Sequence, residues 1–167
     1  MANEPLAIVR WPDPILAEKA KPVPPEEFGP GLAALGFRMR DAMKARNGLG
    51  LAGPQVGLPS RMFVMKHGEE TIVAVNPALS YPACKLVTGN EACLSLPGVE
   101  VSVARWEKCH LFYQEPLAGE KRGVDLEKLE AVCAQHENDH LDGVLIIDKT
   151  SRQQRKRALR DLEKASK

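Results

Sequence analysis

The apolar positions fall into two kinds of run. Between residues 26 and 46 the prolines thin out after Pro30, and Leu32, Leu35, Phe37, Met39 and Met43 fall loosely on one helical stripe. This predicts a helix that packs into the core and carries no chemistry of its own. Asn47-Gly48-Leu49-Gly50 should end it, with glycine at a left-handed cap. Arg61-Met62-Phe63-Val64-Met65 and Thr71-Ile72-Val73-Ala74-Val75 are strand-like, and Lys66-His67-Gly68-Glu69-Glu70 between them reads as a hairpin loop. Further strands are expected at 85–88, 99–103 and 109–114. Leu129, Val132, Cys133, His136 and His140 then recur at three- and four-residue spacing, which predicts a second helix over about 126–141. A polar third helix should cover about 152–164. The opening Ile8-Val9-Arg10-Trp11-Pro12-Asp13-Pro14 should be extended and turn-like, and Pro22, Pro24 and Pro25 exclude a helix interior there. Strands in succession followed by a helix predict an α+β fold, with antiparallel sheets packed around a central helix and a C-terminal helix beyond.

Composition narrows the function without choosing it. The chain has 167 residues, 44% of them hydrophobic, which suits one catalytic-size domain over 1–167 with a sizeable core. No repeat or low-complexity linker divides it. A net charge of +1 argues against a polyelectrolyte partner such as DNA. No apolar run approaches the ~18 residues needed to span a bilayer. Met1-Ala2-Asn3-Glu4-Pro5 lacks a basic region followed by an apolar one, so the expectation is a cytoplasmic protein without a membrane partner. In that compartment Cys84, Cys93, Cys109 and Cys133 should be free or metal-bound rather than paired in disulfides.

The chemistry concentrates in Gln135-His136-Glu137-Asn138-Asp139-His140, an HExxH pattern. Histidines four apart share one helix face, so both imidazoles can meet one metal ion, and the Glu137 carboxylate can reach a water there. The bland alternative is a surface helix carrying two histidines and several acids; the flanking Leu129, Val132 and Leu141 argue for a half-buried face instead. After His140 there is no histidine, and the only acids are Asp142, Asp148, Asp161 and Glu163. Asp142 points off the ligand face and the last two lie in a polar tail, so a third ligand should come from upstream. Cys93, in Asn90-Glu91-Ala92-Cys93-Leu94-Ser95-Leu96-Pro97-Gly98, is the favoured candidate. Two alternatives stand beside it: Cys93 as a buried small hydrophobe, or Cys133 as the ligand, although three ligands along one straight helix converge poorly on one ion.

With these residues in place, the sequence resembles the bacterial-type peptide deformylase family. Three ordered motifs carry the likeness: Gly48-Leu49-Gly50-Leu51-Ala52-Gly53-Pro54-Gln55-Val56-Gly57, Glu91-Ala92-Cys93-Leu94-Ser95, and Gln135-His136-Glu137-Asn138-Asp139-His140-Leu141. The resemblance implies a hydrolase that removes the formyl group from N-formylmethionyl peptides. It implies metal ligation by Cys93, His136 and His140, Glu137 as general acid/base, and the Gln55 amide with the Leu94 backbone N–H as donors to the formyl oxygen. The ion implied is Fe2+, with Zn2+, Ni2+ or Co2+ able to substitute. Leu49, Gly50, Leu96, Val132 and Cys133 are the implied substrate-side residues, and Glu91 and Arg105 an implied buried ion pair. Three positions depart from the family pattern: Ala92 replaces its usual glycine, Gly53 its usual alanine, and Glu100 stands near a position where some members carry arginine beside the peptide. Ala92 and Glu100 therefore bear on substrate range. From 149 to 167 there are eight Lys/Arg against two acids, and the resemblance suggests that this basic helix docks on the ribosome. The competing readings are an HExxH peptidase and a non-catalytic binder of formylated chains.

Overall fold

The structure is a computed structural model that describes residues 5–167. Met1 to Glu4, read above for a targeting signal, lie outside the described residues. Helix α1 spans Pro30–Lys44, followed by strands β1 Gly50–Ala52, β2 Met62–His67, β3 Glu70–Ser80, β4 Leu86–Cys93, β5 Leu96–Trp106, β6 Lys108–Gln114 and β7 Lys121–Glu127. Helices α2, Lys128–Leu141, and α3, Arg152–Ala165, complete the chain. Five strands form one antiparallel sheet in the order β1-β2-β3-β6-β7, while β4 and β5 pair as a separate hairpin.

The apolar run in β2 is continuous because both faces of the five-stranded sheet are covered. Alternate side chains point to opposite faces of a strand. Met62 and Val64 accordingly join Leu32, Met39, Ala42 and Met43 of α1, while Phe63 and Met65 join Ala131, Cys133, Ala134 and Leu141 of α2. Helix α2 is thus held against the sheet by its small and apolar side chains. A third cluster unites Leu96, Val99, Val101 and Val103 of β5 with Ala158 and Leu162 of α3. The polar C-terminal helix is therefore anchored along one side and exposed along the other.

Several boundaries differ from expectation for local reasons. Helix α1 starts at Pro30, a proline in its first turn, and the preceding Pro25–Glu27 forms only a 3-10 turn. Past its end the left-handed residue is Asn47 (φ 54), not a glycine. Strand β3 continues well beyond Val75, through an irregularity at Asn76 (φ 48), whose side chain accepts from Val23 N at 2.8 Å and donates to Val23 O at 2.9 Å. Strands β1 and β7 were not expected. The first is three residues long and contains a glycine; the second alternates Val124 and Leu126 with charged residues, as an edge strand does. All four cysteines are free. No helix among the described residues is long and apolar enough to cross a membrane.

Candidate active site

Three elements meet at one end of α2. Its i, i+4 spacing stacks His136 over His140, facing the β4–β5 hairpin. Cys93 ends β4, where the ladder slips from Ala92↔Glu100 to Cys93↔Leu96. Such a bulge re-aims a side chain, and here Cys93 Sγ lies 3.3 Å from His140 Nε2. His140 Nε2 is in turn 3.3 Å from His136 Nε2, and the three ligand atoms all fall within 4.8 Å of one another. Atoms bound at 2.0–2.3 Å to a tetrahedral ion would be separated by roughly 3.3–3.7 Å. Two imidazole nitrogens and a sulfur so placed fit a single divalent cation. Burial, aided by the His136 and Arg105 charges, lowers the His140 pKa well below its ordinary value, which favours the neutral, ligating imidazole.

The other imidazole nitrogen of His136 is held from behind. Nδ1 lies 2.8 Å from Glu91 Oε2, and Arg105 grips the same carboxylate through Nε at 2.7 Å and Nη2 at 3.0 Å. Arg105 also pairs with Asp139, which Lys149 reaches at 3.1 Å. Burial acts to raise the Glu91 pKa, but hydrogen bonds from His136 and Arg105 and the guanidinium charge outweigh it and hold the group at about 2. Arg105 is 2% exposed, so the pair lies in the interior and not on the surface. Fixing one ring nitrogen of a histidine in this way orients the other towards a metal.

Glu137 lines the same cleft as Cys93 and His136. It is 3% exposed, and its Oε2 has no hydrogen-bond partner among the described residues. Burial raises its pKa to about 7, while the surrounding charges partly cancel. Gly50 makes room for it: a Cβ at that position would stand 2.4 Å from Glu137 Oε1. Gln55 is buried in the 3-10 turn Gly53–Val56; its Oε1 accepts from Ala52 N at 2.9 Å, and its Nε2 faces Cys93 Sγ at 3.4 Å and Ser95 Oγ at 3.2 Å. An alanine at Gly53 would require the backbone to shift, because a Cβ there would meet Ser60 O at 2.6 Å. Leu94 sits in the two-residue turn after Cys93, partly buried.

A cleft of about 810 Å³ opens onto this cluster. Leu49, Gly50, Ala92, Glu100 and Cys133 all line it, as do Leu94 and Gln55. Cys133 is buried and donates its S–H to Leu49 O at 3.4 Å, so it both closes the core and walls the cleft. Glu100 is exposed at the rim and accepts from Asn90 Nδ2 at 3.0 Å. Ser95, the bond from Glu91 to His136, the Asp139 arm of the network, and Arg10 and Arg46 in the cleft lining were not among the expected site residues. Asp139, inside the histidine motif, carried a signal; the two arginines did not.

A buried helix carrying two histidines and a carboxylate, closed by a cysteine from a hairpin, defines a metallohydrolase of the α+β class. Residues 5–156 match the family model described as polypeptide deformylase. A peptide deformylase of Maricaulis maris is 39% identical, over 96% of this chain and 93% of that protein. The crystal structure of a peptide deformylase from Legionella pneumophila superposes with a TM-score of 0.87 at 36% identity, covering 96% of this chain and 94% of the other. That of a peptide deformylase from Synechococcus elongatus in complex with actinonin gives 0.88 at 32% identity, covering 98% and 88%. The chain belongs to the polypeptide deformylase family.

Proposed function

We propose that this protein hydrolyses the formamide bond of N-formylmethionyl peptides and releases formate, with Cys93, His136 and His140 holding one divalent metal ion. The observation that carries this reading is the convergence of those three donors beside the buried, unpartnered Glu137 carboxylate. When bound, the ion would acidify a water and polarise the formyl carbonyl. The remaining work falls to the chain. Glu137 takes the proton from the attacking water and returns it to the peptide nitrogen as the carbon–nitrogen bond breaks. Gln55 Nε2, by exchanging one of its two long contacts, and the Leu94 N–H donate to the formyl oxygen as it gains charge. Leu49, Gly50, Ala92 and Cys133 bound the methionyl end of the peptide, and Glu100 the end leading out.

Fe2+ is the ion we assign, with Zn2+, Ni2+ or Co2+ as substitutes that the same donors accept. A thiolate ligand at Cys93 and three further cysteines outside any disulfide suit a reducing cytoplasm. Residues 1–167 form one catalytic domain in this reading, with 149–167 its basic tail. The outer face of α3, with Arg152, Lys156, Arg160 and Lys164 exposed, suits ribosomal RNA phosphates. Because Ala158 and Leu162 are core residues, charge reversal tests this better than truncation: reversing those four should abolish salt-sensitive ribosome binding, and unchanged binding would remove the ribosome from the reading. For the reaction itself, anaerobically purified, iron-loaded protein should release formate from formyl-Met-Ala-Ser, and a chelated control should not. No formate from folded, metal-replete protein would overturn the assignment.

A further inference from the structure

The β4–β5 hairpin carries Glu91, Cys93 and Arg105, yet it is a two-stranded sheet of its own, and among the described residues no ladder joins it to the five-stranded sheet on which α2 lies. Its place relative to His136 is therefore set by other contacts. One of them comes from the residue just before that histidine. Gln135 is 5% exposed. Its Oε1 accepts from Trp106 N at 3.0 Å, and its Nε2 donates to Trp106 O at 2.8 Å and to Ala131 O at 2.9 Å. Both hydrogens of the amide are thus engaged, and it meets Trp106, the last residue of β5, as the peptide group of a neighbouring strand would.

Asp139 lies one turn beyond Gln135 on the same helix face, and it binds the Arg105 guanidinium. One row of α2 thereby grips two consecutive residues of β5, Trp106 by its backbone and Arg105 by its side chain. The adjacent row presents His136 and His140. A backbone bond from Lys128 N to Glu107 O, at 2.9 Å, also ties the two elements, but it lies at the start of α2, about 12 Å along the helix from His136. Arg105 in turn grips Glu91, which holds His136 Nδ1. A working site needs its groups held to within about 0.5 Å, so the seating of β5 on α2 bears directly on the ligands.

We infer that Gln135 is a positioning residue for the metal-ligand cluster: its amide takes the place of a strand at the end of β5 and so sets where Arg105 and Glu91 hold His136. This rests on the reading of Cys93, His136 and His140 as the ligands of one ion. The amide does two things at once. It satisfies the N–H and C=O of Trp106, and it fixes the hairpin in height against the helix that bears both histidines. An apolar side chain of similar length fills the space and does neither.

The test is Gln135→Met, with affinity read by titrating Zn2+-loaded protein with a chromogenic chelator. Affinity should fall about tenfold, the lower end of the range for partners that orient metal ligands. Met39→Ala, a cavity on the α1 side of the five-stranded sheet, should lower Tm and leave affinity in place. The loss should also run through Glu91. In Gln135→Met/Glu91→Gln it should be close to the larger of the two single losses, because residues that act through one partner are not additive. In the wild type, hydrogen exchange should show the Trp106 N–H protected. Equal affinity in wild type and Gln135→Met would overturn the inference, as would single losses that multiply in the double variant. So would a Trp106 N–H that exchanges like a solvent-exposed amide, a measurement that stands even if Gln135→Met does not fold. Formate release from formyl-Met-Ala-Ser is scored separately, because its absence from metal-loaded wild type counts against the deformylase reading and not against this clamp.

Discussion

Glu137→Ala should leave a protein that still takes up one metal ion per chain and has lost about 10²–10⁴ in turnover, the usual worth of a positioned acid/base. The reason is a division of labour visible in the site. The donors that converge are Cys93, His136 and His140, and none belongs to Glu137. The Glu137 carboxylate is enclosed, lacks a partner for Oε2, and is brought by burial to a pKa of about 7. A group poised there can accept a proton from water and give it up to an amine near neutrality. A cation in the site would lower that value, so the role depends on position before it depends on pKa. Metal content by elemental analysis and kcat on formyl-Met-Ala-Ser read the two halves separately. If turnover survives the change, the acid/base lies elsewhere; if the metal is lost with it, Glu137 is structural.

The second large effect is expected at a residue that touches neither substrate nor metal. Arg105→Met should destabilise the fold by about 3–5 kcal/mol, the range for removing one partner of a buried ion pair. In a chain of this length that lowers Tm by roughly 6–20 °C. The guanidinium is 2% exposed and binds Glu91 through two nitrogens and Asp139 through a third. Methionine fills much of the same volume but leaves the buried Glu91 and the partly buried Asp139 without the cation they share. Glu91 also holds His136 Nδ1, so metal affinity should fall by about 10–100-fold, as when other supporting partners of metal ligands are removed. Thermal denaturation and a metal-competition titration measure the two consequences. A shift below about 1 kcal/mol with affinity intact would show that Glu91 and Asp139 do not depend on Arg105.

Much of this architecture can be read one residue neighbourhood at a time. The stripe of Leu32, Met39 and Met43 yields α1, and the unbroken apolar run from Met62 to Met65 yields a strand covered on both faces. The four-residue spacing of His136 and His140 places two donors together on any helix, whatever surrounds it. Where the pattern is weak the elements escaped notice. Strand β1 is too short for periodicity, and β7 is a strand chiefly because its backbone completes the ladder to β6. Proline patterns placed the start of α1 only loosely, and the left-handed turn after it fell to Asn47 instead of glycine.

Local repetition along the chain accounts for the α+β class, the two-histidine helix with its glutamate, and, through three motifs in order, the family. Which distant groups meet depends on the folded chain. Cys93 and His140 are 47 residues apart and come to 3.3 Å because the hairpin folds back with a bulge at its tip. Gln55 reaches Ser95 across 40 residues, and His136 reaches Glu91 across 45. The same holds for the room that Gly50 leaves for Glu137 and for the Gln135 amide set against Trp106. Helical and strand periods arise from bonds between near neighbours, whereas these contacts arise from how separate elements close upon one another, and no short stretch of sequence carries that information.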